Sequence, residues 1–155
     1  MDFLDPQTLS VFFRLFLAVV LGAAIGVERE IANKFAGMRT HALVAMGATL
    51  FTVASATLSG PTVDPTRIAA QIVTGVGFLG AGLIVFHRSR VHGLTTAAGV
   101  WVAAAIGTVI GFKLYAIGVF ATLLTILVFA VLWPIEQNFV KRFSAYSDPS
   151  DENGT

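Results

Sequence analysis

Gln71-Ile72-Val73-Thr74-Gly75-Val76-Gly77-Phe78-Leu79-Gly80-Ala81-Gly82-Leu83-Ile84-Val85-Phe86-His87-Arg88 can be taken as a nucleotide-binding loop or as a membrane span. It is long enough to cross a bilayer, is studded with glycine, and ends in a basic cluster. Gly75 to Gly80 also fits G-x-G-x-x-G, the dinucleotide-binding spacing. That fingerprint needs a strand before it, a helix after it and an acidic residue about 20 positions on. No acidic residue occurs between Asp64 and Glu136. Within an apolar span, glycines let helix backbones approach closely. The setting therefore reads as a membrane helix with packing glycines, not a nucleotide site.

The rest of the chain agrees. It has 155 residues, 55% hydrophobic and 12% charged, with mean hydropathy +0.80. Soluble domains carry about 25% charged residues. The formal net charge of +1 offers no basic field for nucleic acid. The absence of cysteine removes disulfides, thiolate metal sites and thiol nucleophiles. The acidic N-terminus, Met1-Asp2-Phe3-Leu4-Asp5-Pro6, lacks the positive segment of a cleavable signal peptide, so the first span reads as retained.

Five stretches approach the ~20 apolar residues that cross a hydrocarbon core: 9–27, 41–58, 68–86, 94–111 and 114–133. They predict an all-α, five-helix transmembrane bundle. The domain reading is an outside segment 1–8, a transmembrane domain 9–134 and a cytoplasmic tail 135–155, partly disordered. The first four spans are rich in Gly and Ala and suit a tight core, whereas the fifth suits lipid. Seven basic residues lie on one side, among them Arg29, Lys34, Arg39, Arg88 and Arg90, against three on the other, Arg14, Arg67 and Lys113. The positive-inside rule then predicts an outside N-terminus and a cytoplasmic C-terminus. Tyr115 and Trp133 suit interfacial anchoring.

Local signals punctuate the spans. Asp64-Pro65 reads as an N-cap with proline at the first helical position. Ser59-Gly60-Pro61 breaks the chain, and Pro134 is expected to kink or end the fifth span. Leu21-Gly22-Ala23 is echoed by Leu79-Gly80-Ala81, and Gly37 to Ala42 by Gly93 to Ala98. Two readings stay open: duplicated hairpins, or chance similarity in Gly/Ala-rich sequence.

Polar residues at the membrane are costly and so draw attention. Glu28 and Arg29 close the first span, and Arg39, Thr40 and His41 open the second. Glu28 can pair with an arginine or meet a hydrated cation. Arg67 and Gln71 share a helix face at i, i+4, with Thr74 further on and Asp64 nearby. They predict a polar stripe entering the bundle from outside, while Gln71 also suits an interhelical hydrogen bond. Arg14 suits snorkelling to the outer headgroups. Thr95 and Thr96 open the fourth span. His87 and His92, five apart, miss the i, i+4 spacing of helical zinc ligands, and their loop suits headgroup contact. Gly22 and Gly26 on the first span, and the series Gly99, Ala103, Gly107 and Gly111 on the fourth, recur at intervals of four. With Gly75, Gly77, Gly80 and Gly82 they form the expected packing faces, within one chain or in a homodimer. No enzyme signature, cofactor motif or dense carboxylate cluster is present in the sequence, and no metal site is assigned.

Three blocks together resemble the MgtC/SapB family of bacterial membrane proteins. The first is Gly22-Ala23-Ala24-Ile25-Gly26-Val27-Glu28-Arg29-Glu30 with Ala36-Gly37-Met38-Arg39-Thr40-His41-Ala42. The second runs from Arg67 to Gly82, and the third joins Gly93-Leu94-Thr95-Thr96-Ala97-Ala98 to Trp101 and Ala104-Ala105-Ile106-Gly107. The resemblance implies a multi-pass protein of the bacterial inner (plasma) membrane, not an enzyme. It implies links to magnesium homeostasis, acid stress and virulence. It also implies a membrane-protein partner, either the F-type ATP synthase or a transporter. A small cation channel or carrier is the alternative. Because only about 20 residues follow the fifth span, too few for a core of their own, the chain reads as the short, SapB-like form without a C-terminal cytoplasmic domain.

Overall fold

A computed structural model describes residues 5–58, 64, 67–87 and 90–144, with backbone only for 90, 133 and 136–144. The order is α1 (Pro6–Ile31), α2 (Met38–Thr57), α3 (Arg67–Leu83), β1 (Val85–His87), β2 (Arg90–His92), α4 (Leu94–Gly111) and α5 (Tyr115–Ser144). The all-α membrane class stands. α1, α2, α4 and α5 are long and apolar enough to cross a membrane, while α3 has 17 residues.

Pro6 opens α1, where its missing N–H costs nothing. α1 and α4 close alike. Asn33 (φ 54°) and Lys113 (φ 66°) turn left-handed. Lys34 N–H then donates to Arg29 O and Leu114 N–H to Val109 O, satisfying carbonyls the helix leaves open.

α2 is the central helix, packed along α1 and α4 and more lightly against α3. The α1–α2 crossing is set by glycine. A Cβ on Gly22 would lie 2.5 Å from the His41 carbonyl oxygen, and one on Gly26 would strike Met38 backbone. On α4, Gly107 abuts the Ala45 carbonyl and Gly111 the Thr52 side chain. The Thr49 hydroxyl lies 2.7 Å from Gly107 O and 2.9 Å from Ala45 O, so its one proton is shared between α2 and α4. These pairings run antiparallel for α1 and α2 and parallel for α2 and α4. Two parallel helices require α3 to carry the chain back along the bundle, so all five helices traverse it. Ala18, Leu21, Ile25, Ala45, Ile106, Ile110 and Phe129 form the main core, and α3 adds Ile72 and Val76 to a second cluster. α5 turns Phe120, Leu123 and Leu127 outward, as its lipid-rich composition leads one to expect.

Several expectations are corrected. Helix α3 ends at Leu83, and Val85 to His87 pair with Arg90 to His92 as a hairpin. β-branched and aromatic residues suit strand as well as apolar helix, so hydropathy alone did not separate them. Helix α5 runs through Pro134 to Ser144 without ending there, and the helix therefore overlaps the expected tail. Arg14 does not snorkel: it is 7% exposed, with Nη1 donating to Gly111 O (2.8 Å) and Nε to Ser10 O (3.2 Å). The unpaired carbonyl end of α4 gives it a better partner than a headgroup does. The breaks at Ser59-Gly60-Pro61, Pro65, Arg88, residues 1–4 and the tail after Ser144 lie outside the described residues.

Candidate functional site

The last turn of α1 concentrates the buried charge. Arg29 is 2% exposed, and its position near the carbonyl end of α1 favours a cation. Its Nε donates to Glu28 Oε2 (2.6 Å) and its Nη2 to Glu28 Oε1 (3.2 Å), so both carboxylate oxygens are engaged. Neighbouring helical side chains diverge, so this pairing bends both side chains toward each other. The guanidinium carbon also lies 4.0 Å from the Phe129 ring centroid on α5, a cation–π contact away from water.

Glu30 works across the turn. Gly37 precedes α2 and has no side chain to cap it, so Glu30 Oε2 accepts the Met38 N–H (3.1 Å). The carboxylate thereby sits at the positive end of the α2 dipole.

His41, one turn into α2, is fully buried. Its Nδ1 lies 3.0 Å from Gly37 O. A carbonyl only accepts, so Nδ1 carries the proton in the neutral ring and Nε2 is a bare acceptor. Among the described residues Nε2 has no hydrogen-bond partner. It faces Gly99 on α4, where a Cβ would lie 3.3 Å from Nε2 and 2.9 Å from Phe129 Cζ. Four helices thus meet at one end of the bundle through Glu28, Arg29, His41, Gly99 and Phe129. The junction binds its own ion pair and one imidazole with a spare lone pair. Among the described residues, no group of three or more His, Asp or Glu is placed to hold a metal.

The remaining sequence candidates fall elsewhere. Arg39 and Thr40 are exposed at the start of α2, and Thr95 is exposed at the start of α4. Thr96 is buried. Asp64, Arg67 and Gln71 lie at the opposite end and are exposed. The stripe of Arg67, Gln71 and Thr74 therefore does not enter the bundle: the inward face of α3 is Ile72, Val76 and Gly80, spaced by four. The glycines divide likewise. Gly22, Gly26, Gly99, Gly107 and Gly111 touch neighbouring helices, and Gly80 lies 3.7 Å in Cβ terms from Ala97. Gly75, Gly77 and Gly82 meet no atom within 4 Å. The partners that Arg14, Glu30 and Phe129 take here, the α4 carbonyl end, the α2 N-terminus and Arg29, are not those their local sequence suggests, where Glu30 is spaced for Lys34 and Arg14 for a headgroup. A lone phenylalanine in a lipid-facing span carries no signal of a cation resting on it.

Known proteins bear on this arrangement. A model of the MgtC family matches residues 15–138. "Putative magnesium transporter YhiD" of Escherichia coli K12 is 47% identical over 132 residues, 81% of this chain and 61% of that protein. "Protein MgtC" of Brucella abortus 2308 is 48% identical over 120 residues, 77% of this chain and 50% of that one. An uncharacterised Haemophilus influenzae protein is 38% identical over 149 residues, 90% and 62%. The chain spans about half to three-fifths of the length of these relatives. No solved structure matches.

Proposed function

The chain belongs to the MgtC family, and from that premise we propose that it is a non-enzymatic regulator of the bacterial inner membrane. It acts by contact with another membrane protein during adaptation to magnesium limitation, acid stress or life in a host. The observation that carries this reading is the backbone-to-backbone packing of α1, α2 and α4 at Gly22, Gly26, Gly107 and Gly111. Helices this close leave no room between them for a hydrated cation, and Mg²⁺ sheds its water reluctantly. Glu28 is already engaged by Arg29, whose charge opposes a second cation at the same carboxylate. The outward faces are apolar and, outside the α2–α3 groove, include the open glycines Gly77 and Gly82, the surface a membrane partner packs against. By the family's associations the F-type ATP synthase or a transporter is the partner.

A transport reading has one observation in its favour. His41 Nε2 is a buried acceptor beside an ionised pair, the type of group that marks proton and ion paths in membranes. The name of the Escherichia coli relative points the same way. Mg²⁺ flux into proteoliposomes decides between them, comparing the parent with Glu28→Gln. The regulator reading expects no flux above empty vesicles from either. Flux that Glu28→Gln abolishes overturns it.

A further inference from the structure

We propose that the groove between α2 and α3 seats one acyl chain of a membrane phospholipid, with the lipid phosphate held at Arg67. The inference concerns a face that the family assignment leaves without a role, and it is independent of whether the protein regulates or transports.

α3 leans on α4 more than on α2, and a cavity of about 560 Å³ remains on the α2 side. Val44, Gly47 and Phe51 of α2 face Ile72, Gly75 and Leu79 of α3 across it. Gly47 and Gly75 leave the floor open, since a Cβ on either meets nothing within 4 Å. Phe51 and Leu79 are exposed at the walls, so the groove opens sideways toward the bilayer.

Size and polarity select the occupant. The lining runs from Leu43 to Phe51 on α2 and from Ile68 to Leu79 on α3. At 1.5 Å per residue these spans are about 12 and about 16 Å long. Half of a ~30 Å hydrocarbon core is about 15 Å, the depth one acyl chain covers. A transmembrane helix, about 10–12 Å across with its side chains, does not enter such a groove. Among the described residues Gln71 is the one polar member of the lining, and it sits at the end where Arg67 opens α3. An apolar trough with an amide and an exposed guanidinium at its mouth has the polarity of a phospholipid. Arginine presents the planar donor fork that suits phosphate.

Because the groove glycines touch nothing, a side chain placed there fills the groove without disturbing the fold. The full chain, purified in detergent and delipidated, is titrated with palmitoyl-oleoyl phosphatidylglycerol and read by native mass spectrometry. The parent is expected to retain one lipid. Gly75→Leu and Gly47→Leu are expected to weaken retention at least tenfold, and Arg67→Gln several-fold. Gly82→Leu, at an open glycine outside the groove, is expected to bind as the parent does. Monodisperse elution checks the fold of each variant, and either groove variant suffices. Parent-like retention by the groove variants overturns the proposal. Equal retention of dioleoylglycerol overturns the phosphate assignment. A disulfide-linked dimer from Gly75→Cys in native membranes, in a chain otherwise without cysteine, shows a second copy in the groove and also overturns it.

Discussion

At the scale of single residues, the presence of glycine on a helix does not by itself mark a packed face. Gly107 and Gly111 on α4 are four apart, as are Gly22 and Gly26, and all four abut another helix. Gly75 and Gly77 on α3 face open space. The difference lies in which side of the helix meets a neighbour, and that depends on tertiary placement. Substitution should separate the classes. Gly107→Ala drives a methyl into the Ala45 carbonyl, and inserting one methylene into a packed site costs about 1–3 kcal/mol. Gly75→Ala meets no atom, and it gains up to about 1 kcal/mol of helix propensity. Thermal unfolding in detergent should show a lowered midpoint for the first and an unchanged or raised midpoint for the second. Comparable losses from both would mean that Gly75 is packed after all. Arg14 teaches a related lesson. A lone arginine near the start of a span reads as a snorkelling residue, and nothing local announces that the α4 carbonyl end lies 97 residues away in sequence.

At the scale of elements, the two hairpins of helices are built alike. Gly22 meets His41 across α1 and α2, and Gly80 meets Ala97 across α3 and α4. These are the equivalent positions when Leu21-Gly22-Ala23 is laid on Leu79-Gly80-Ala81 and Gly37 to Ala42 on Gly93 to Ala98. Gly37 and Gly93 each precede their helix, and each accepts the first helical bond, from His41 N–H and Ala97 N–H. The parallel course of α2 and α4 is what duplication about an axis along the membrane normal requires. The two hairpins differ at their turns. The first uses Glu30 to cap α2, whereas the second inserts the β1–β2 hairpin and closes on Gly93, at φ +89° with its α-carbon against the Leu83 carbonyl. The α4–α5 turn tolerates Lys113 in a left-handed conformation that costs a side chain about 1–2 kcal/mol. Lys113→Gly should therefore raise the thermal midpoint, while Gly93→Ala should lower it through strain and collision together. Calorimetry of the two variants beside the parent checks the opposite signs. The helices were legible because apolar run length follows bilayer thickness. The end of α3 was not, since Ile84, Val85 and Phe86 are as apolar as the helix before them.

At the scale of the whole molecule, the expected orientation rests on where the basic residues lie. Arg14 and Arg29 are buried, so in the folded protein neither meets a headgroup as a free surface charge. Leaving them out of the charge comparison gives six basic residues on the side of the α1–α2 turn against two, Arg67 and Lys113, on the other. The excess of four basic residues on the α1–α2 turn side is the same with or without them, so the expected orientation does not depend on the two buried arginines. The α1–α2 turn and the β1–β2 hairpin share one end of the bundle, because α2 and α4 run parallel, while Lys113 lies with Arg14 at the other. If α3 crosses the bilayer as it crosses the bundle and the charge bias sets the orientation, Lys34 and His87 are expected to face the cytoplasm and Lys113 the outside. At 17 residues α3 is about 25 Å long, at the lower limit for a span. Were it to stay on the outer side, His87 would be exposed outside and the ends of α4 and α5 would invert. The absence of cysteine makes the question directly measurable. Single cysteines at Lys34, His87 and Lys113 can be labelled in intact cells with a membrane-impermeant maleimide. Lys113→Cys should react at once, and Lys34→Cys and His87→Cys only after permeabilisation. Reaction of His87→Cys in intact cells would place the hairpin outside, and the five-crossing arrangement would fall with it.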